Sequence, residues 1–316
     1  ITLDDTMAEA ARKTLWRHWK RAREAEPRAR DGGDTEGVHD LRVAVRRLRV
    51  AFRVFRDYLD REATRPLRRR LGRTARLLGA VRDLDVFHVK TQQYLDILPA
   101  GRRTELDALL AVWKAQHTVA RAELVAWLDS RKFARFKVEL GARLKSETDT
   151  GRPAHAPHGD RVRDIVPIVL LSALATVRAH DELVAGAHPP LGKLHRRRIA
   201  CKRMRYTLEF FARALGAPAE RLIGELTAVQ DHLGNLQDAV IACGILQDFL
   251  ASGTWTNGGP LQAPRVLSGA VVPGVAAYLD VRQREIRMLV GTFQDVWAPI
   301  RSTGFKRELL ALIADW

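Results

Sequence analysis

"VHDLRVAVRRLRVAFRVFRDYL" (Val38 to Leu59) and "LHRRRIACKRMRYTLEFFARAL" (Leu194 to Leu215) lie 156 positions apart and say nearly the same thing. At that offset His39, Arg42, Ala44, Arg47, Arg49, Phe55 and Leu59 meet His195, Arg198, Ala200, Arg203, Arg205, Phe211 and Leu215. An arginine-rich composition supplies a few such matches by chance, but not a matched histidine and a matched apolar pattern as well. A second echo follows each copy. "LGAVRDLDV" at 78–86 answers "LGNLQDAVI" at 233–241, with the offset one shorter, as a small deletion would leave it. The chain therefore reads as two homologous helical halves, each an antiparallel bundle.

At about 100° per residue, His39, Arg42, Arg46, Arg49 and Arg53 fall within an arc of about 80° on one side of a helix. Leu41, Val45, Leu48, Phe52, Phe55 and Leu59 take the opposite, core-facing side. In the second copy His195, Arg198, Lys202 and Arg205 hold the same basic places, with Cys201, Met204, Leu208, Phe211 and Leu215 on the apolar face and Glu209 where the first copy has Arg53. Arg65, Arg69, Arg73 and Arg76 share one face of the following helix, a third stripe. A merely solvated face mixes signs, because like charges at three and four spacing repel by a few tenths of a kcal/mol per pair. The Val38–Leu59 face carries four arginines and no acid, so it costs stability until an anion arrives.

The two histidines admit several roles. As metal ligands they lack a carboxylate, His or Cys at three or four spacing, since Arg42 and Arg198 hold those places. As general bases they lack a nucleophile or acidic orienter nearby in sequence, although such partners can come from distant segments. A buried helix-start histidine and an anion contact remain. We prefer the anion contact, an imidazole N–H donating to an oxygen near a helix start where backbone N–H groups also favour an anion. Asp83 and Asp238, after the two Leu-Gly pairs, read as salt-bridge or kink-holding residues before any catalytic role.

Composition agrees with a polyanion partner. Lys and Arg number 53 against 37 for Asp and Glu, giving a net charge of +16 over 316 residues; most of the cation is arginine, whose planar fork grips phosphate. The two cysteines, Cys201 and Cys243, make neither a disulfide framework nor a clustered zinc site and fit a reducing compartment, so a cytoplasmic location is expected. "IVPIVLLSALATV" and "AVVPGVAAYL" fall short of the ~18 apolar residues of a membrane span, and no signal peptide opens the chain. The first residue is Ile1 rather than Met, which leaves room for sequence upstream.

Helical periodicity covers 2–26, 35–60, 63–98 and 102–129, punctuated by Pro27, "DGGD" at 31–34, Pro66 and "PAG" at 99–101, and resumes at 161–186, 191–216, 218–251, 274–298 and 303–315. No convincing alternating strand occurs. "ETDTGRPAHAPHGD" at 147–160 reads as a linker, with its histidines in solvent, and a Gly/Pro/Asn loop is expected between Ser252 and Pro264. The organisation expected is a single domain over 1–316, with one bundle over 1–150, a linker over 151–160 and a second bundle over 161–316.

Two copies of His-x-x-Arg-[Val/Ile] opening a Lys/Arg-rich helix, with "LGAVRDLDV" and "LGNLQD" behind them, resemble the two signature blocks of the conserved histidine α-helical domain, the CHAD family. The resemblance covers essentially the whole chain. It implies an all-α fold of two antiparallel four-helix bundles with pseudo-twofold symmetry around a basic central cleft or pore that binds inorganic polyphosphate. Stand-alone members look like the phosins of polyphosphate granules, which implies a cytoplasmic, granule-associated protein. Carried onto this chain, the implied contacts are His39, Arg42, Arg46, Arg47, Arg49, Arg53, His195, Arg198, Lys202, Arg203 and Arg205, with Arg69, Arg73 and Arg76 as additions. Arg47 and Arg203 lie off the main stripe. Arg197, where the family is usually hydrophobic and the first copy has Leu41, and Glu209 depart from the pattern and suggest a less symmetrical site, weaker in its second half.

A polyphosphate chain is a string of close-spaced charges with no bases to read, so two facing arginine stripes suffice to hold it. Binding without catalysis, cofactor or metal is the expectation. Nucleic acid would be drawn by the same charge, yet no helix-turn-helix, RNA-recognition or zinc-finger signature occurs, and the aromatic residues sit mainly on apolar faces rather than between the arginines. Phosphohydrolysis would want carboxylates for Mg²⁺ beside the arginines, which the basic stripes lack.

Overall fold

The computed structural model describes residues 1–31, 35–145, 160–179, 181, 186, 189–255, 272–314 and 316. Among them the chain is all-α, without a strand. The long helices are α1 (Met7–Arg30), α2 (Thr35–Val54), α3 (Arg61–Ile97), α4 (Asp107–Leu128) and α5 (Arg131–Lys145), then α6 (Val162–Arg178), α7 (Leu191–Leu215), α8 (Ala219–Ser252) and α9 (Pro273–Gly291), with the shorter α10 (Phe293–Arg301) and α11 (Thr303–Ile313) closing the chain. The quoted stretches are α2 and α7. α1 packs on α2, α2 on α3 and α3 on α4; the order recurs as α6 on α7, α7 on α8 and α8 on α9.

Local chemistry sets the helix starts. Thr6 and Glu9 form a reciprocal capping box at α1, Asp60 accepts from the Glu62 and Ala63 amides at the start of α3, and Ser130 caps α5 through the Phe133 amide. The entry into α2 depends on Gly37. A Cβ there would come 2.5 Å from the carbonyl carbon of Arg28 on α1, so only glycine permits this closeness. α7 and α8 end on Gly216 (φ 77°) and Gly253 (φ 70°). The chain's first residues are tied to the start of α6, with the Met7 amide donating to Asp160 O at 2.9 Å and the Val162 amide to Asp5 O at 2.9 Å.

Several expected boundaries shift. Pro27 lies inside α1 rather than after it, and Pro66 lies inside α3 as the expected range 63–98 has it, each on an exposed side where water can take the carbonyl that the ring leaves unpaired. Residues 100–106 form a 3₁₀ segment before α4, and 56–58 another after α2. The helix expected over 274–298 breaks at Thr292. α5 was not anticipated, although Ser130 and the spacing of Phe133, Phe136, Leu140 and Leu144, all buried, announce it. The expected linker at 147–160, with its histidines, and most of the 252–264 loop lie outside the described residues.

Candidate anion-binding site

The apolar faces of α2 and α7 are buried as the wheel requires, and the two helices meet. Phe55 packs on Phe210 and Phe211, with ring centroids 6.3 and 5.7 Å apart. Bringing these faces together also brings together the basic residues beside them. Arg46 and Arg47 of α2 and Arg205 of α7 set their guanidinium carbons 5.6, 5.6 and 5.0 Å from the ring centre of Tyr206, which is fully buried.

Lys202 stands in the midst of this group. Burial pushes its amine down to about 7, and the neighbouring charges of Arg46, Arg198, Arg42 and Arg205 press the same way. Arg46 is likewise held below its usual value, by burial first and then by Arg42, Arg205 and Arg198 against the opposing pull of Tyr206. Arg46, Arg198 and Lys202 have no carboxylate within 4 Å among the described residues. Arg46 Nε, Arg205 Nε, His39 Nδ1 and the Tyr206 hydroxyl are buried with no hydrogen-bond partner there. An unpaired buried polar group costs about 1–3 kcal/mol, so these helices hold polar groups at a cost that no acceptor among the described residues offsets.

Two carboxylates border the cluster, which corrects the expectation that the arginines have none beside them. Arg42 Nη2 lies 3.7 Å from Asp83 Oδ1. Burial raises both Asp83 and Asp238 against the opposing charges of Arg42 and Arg198, with Asp85 adding to the rise at Asp83 and Asp83 to that at Asp238. Asp83 is open over 51% of its side chain and lines a small surface crevice together with Lys90 and Asp238. Among the described residues no group of three or more His, Cys, Asp or Glu is placed to hold a metal ion.

A family profile described as the CHAD domain matches residues 13–247. The chain belongs to the CHAD domain family. It is similar to the uncharacterized proteins MT2285 and Rv2226 of Mycobacterium tuberculosis, strains CDC 1551 and H37Rv, 29% identical over 231 residues that make up 69% of this chain and 42% of either relative. The chain thus spans less than half the length of these curated relatives. Among solved structures it resembles the CHAD domain from the plant Ricinus communis (TM-score 0.64, 23% identity, 100% of this chain and 94% of that one). It also resembles PptA from Streptomyces chartreusis (TM-score 0.66, 16% identity, 93% and 100%). At these identities the likeness shows the fold.

The other signature residues of this CHAD domain distribute unequally. His195 Nδ1 is 2.7 Å from Gln237 Oε1 on α8. Its counterpart His39 is lowered by burial and by Arg82, which stands in α3 where Gln237 stands in α8. Arg47 pairs with Glu209 of α7 at 2.9 Å. Exchanging the copies turns that pair into Arg203 and Arg53, and these do lie near each other: Arg203 is lowered by burial and by the charges of Arg53 and Arg56. Arg49 is lowered by burial, Arg53 and Arg76, which brings Arg76 of α3 beside the α2 stripe. Arg73 and Arg69 follow Arg76 along the exposed side of α3.

Sequence reading missed Tyr206. It lies among arginines, against the expectation for the aromatic residues, but being buried it offers no face to a base. The Leu-Gly blocks were visible, though not that Asp83, Asp238, Arg82 and Gln237 from them would face the signature helices. Arg197, a departure in sequence, is structural. It is 5% exposed, donates to Val177 O at 3.0 Å, pairs with Asp181 and covers the Trp297 ring at 4.2 Å.

Proposed function

We propose that this chain binds inorganic polyphosphate at the α2–α7 cluster, without catalysing its cleavage. One observation carries the reading: Lys202 and Arg46 are packed among Arg42, Arg198 and Arg205 with buried donors that find no acceptor among the described residues. Such a group is unfavourable alone and becomes favourable around a multiply charged oxyanion, whose oxygens take charge-assisted hydrogen bonds. Arg49, Arg53 and Arg76 continue the cation beyond the cluster, which suits a linear polymer of phosphates over a compact nucleotide. Asp83 and Asp238 act as counter-ions that hold Arg42 and Arg198 in place. Among the described residues no helix is long and apolar enough to cross a membrane, and association with polyphosphate granules in the cytoplasm follows from the proposed ligand.

The test is competition at physiological salt. Labelled long polyphosphate bound to the protein should be displaced by unlabelled long polyphosphate, poorly by ATP, and poorly by duplex DNA or RNA at equal charge, because a duplex about 20 Å wide cannot enter between helices ~10 Å across. Equal displacement by duplex DNA would assign the binding to a generic basic surface. Steady release of orthophosphate on adding Mg²⁺ would contradict the absence of catalysis.

A further inference from the structure

α3 and α8 are counterparts, and their buried positions agree: Leu67, Leu71, Leu78 and Val81 answer Leu222, Leu226, Leu233 and Leu236. Their exposed stripes do not agree. With the offset of the Leu-Gly blocks, 155, Arg65, Arg69, Arg73 and Arg76 are answered by Glu220, Gly224, Ala228 and Asp231. The α2 and α7 stripes part in the same sense, since Arg53 is answered by Glu209, which neutralises Arg47 and lies 3.4 Å from Arg205.

Within α3 the arginines sort by partner. Arg70, off the stripe, pairs with Glu139, and Arg65 lies 3.7 Å from Glu62. Arg69, Arg73 and Arg76 have no carboxylate within 4 Å among the described residues. Arg73 is not loose: its guanidinium lies 4.3 Å over the ring of Trp127, itself fixed by an indole N–H donated to Thr74 Oγ1 at 2.9 Å. A cation held by a buried aromatic ring has already given up the freedom that binding would otherwise cost it. The three positions advance by seven residues, ~10 Å of helix axis, toward the α2 stripe, where Arg49 feels the charge of Arg76.

We infer that the site is one-armed: a polyphosphate chain held at the Arg42, Arg46, Arg198 and Lys202 cluster runs out along α3 over Arg76, Arg73 and Arg69, and not along α8. This rests on the proposed function and adds to it a direction and a second set of contacts. Asp231 and Glu220 repel the chain from the corresponding path, and Gly224 and Ala228 give it nothing to bond. The central cluster fixes a short stretch of phosphates, and the arm makes affinity grow with chain length.

Four variants test this with two ligands, tripolyphosphate and a long polyphosphate of defined length, titrated over a range of salt. The central variant, Arg46→Ala with Lys202→Ala, should weaken both ligands. If it weakens neither, the proposed function itself fails, whatever the arm does. The arm variant, Arg69→Ala with Arg73→Ala and Arg76→Ala, should weaken the long chain at least tenfold more than tripolyphosphate and lower its salt slope by about two, at ~0.7 for each phosphate no longer neutralised. Because Arg73 packs on Trp127, the Arg69→Ala, Arg76→Ala pair is measured as well and should give the same preference with a smaller loss. The mirror variant, Glu220→Ala with Asp231→Ala, should change long-chain affinity by less than about twofold, since it clears the α8 path of repulsion without adding cations. The one-armed site is overturned if both arm variants bind the long chain like the unaltered protein, if they weaken the two ligands equally, or if the mirror variant binds the long chain tenfold more tightly.

Discussion

The first and second copies of the signature helix share a scaffold and differ in what their charges do. Phe55 and Phe211, Leu48 and Met204, and Leu59 and Leu215 are buried alike, since packing fixes those places. In α2 the stripe Arg46, Arg49 and Arg53 finds no acid within 4 Å among the described residues, whereas in α7 Glu209 draws Arg205 and Arg47. Leu41 is a core residue, while Arg197 in its place caps the carbonyl end of α6 and pairs with Asp181. A charged side chain in a core position is tolerable when every bond it needs is made by the fold. The second copy thus commits Arg197 and Glu209 to contacts within the fold, whereas the first commits Arg47 and Arg42 and leaves Arg46, Arg49 and Arg53 without an acid among the described residues.

The largest effect should come from the first copy. Arg42→Ala with Arg46→Ala and Arg49→Ala removes charge-assisted bonds worth ~1.5–3 kcal/mol each before non-additivity, so polyphosphate affinity should fall by orders of magnitude. The melting temperature should hold or rise, because like-charge repulsion along α2 is relieved. Unfolding of this variant would make those arginines structural and erase the contrast. Arg197→Ala should show the opposite pattern, a loss of about 2–3 kcal/mol of folding stability by denaturant titration with polyphosphate affinity nearly unchanged.

A smaller effect separates the copies by pH. Lys202 has its amine at about 7 in the free protein, well below the ~10.4 of an unfolded lysine. Between these values the unfolded chain binds the extra proton, so this residue makes the free protein more stable as pH rises from 7 to 10. Bound phosphate favours the charged amine, so affinity should fall over the same range and binding near pH 8 should take up a proton. Calorimetry in buffers of different ionisation enthalpy reads that uptake. Lys202→Met should abolish it, and uptake persisting in that variant would place the titrating group elsewhere.

The fold was largely legible because its evidence is periodic. Apolar spacing and the doubled block named α2, α3, α7 and α8 with their buried faces. Helix ends were less legible, as Pro27 shows: a proline stops a helix only where its neighbours cannot reroute the missing bond. For the site, the α2 stripe was visible as four arginines without an acid. Tyr206 was not, because an aromatic residue beside a core face reads as core, and only the crossing of α2 and α7 puts three guanidinium groups around it. The pairing of Arg47 with Glu209 was invisible for a similar reason, being an ion pair between residues 162 positions apart in sequence.

That one anion site is shared between the copies is the claim on which the rest depends, and stoichiometry tests it most directly. Polyphosphate of defined, moderate length is titrated calorimetrically into the unaltered protein and into the Arg198→Ala, Lys202→Ala variant. The account predicts one chain per protein in both, with affinity sharply lower in the variant because one wall of a common site is gone. Two chains per unaltered protein, with the variant binding a single chain at undiminished affinity, would show two independent sites and contradict it.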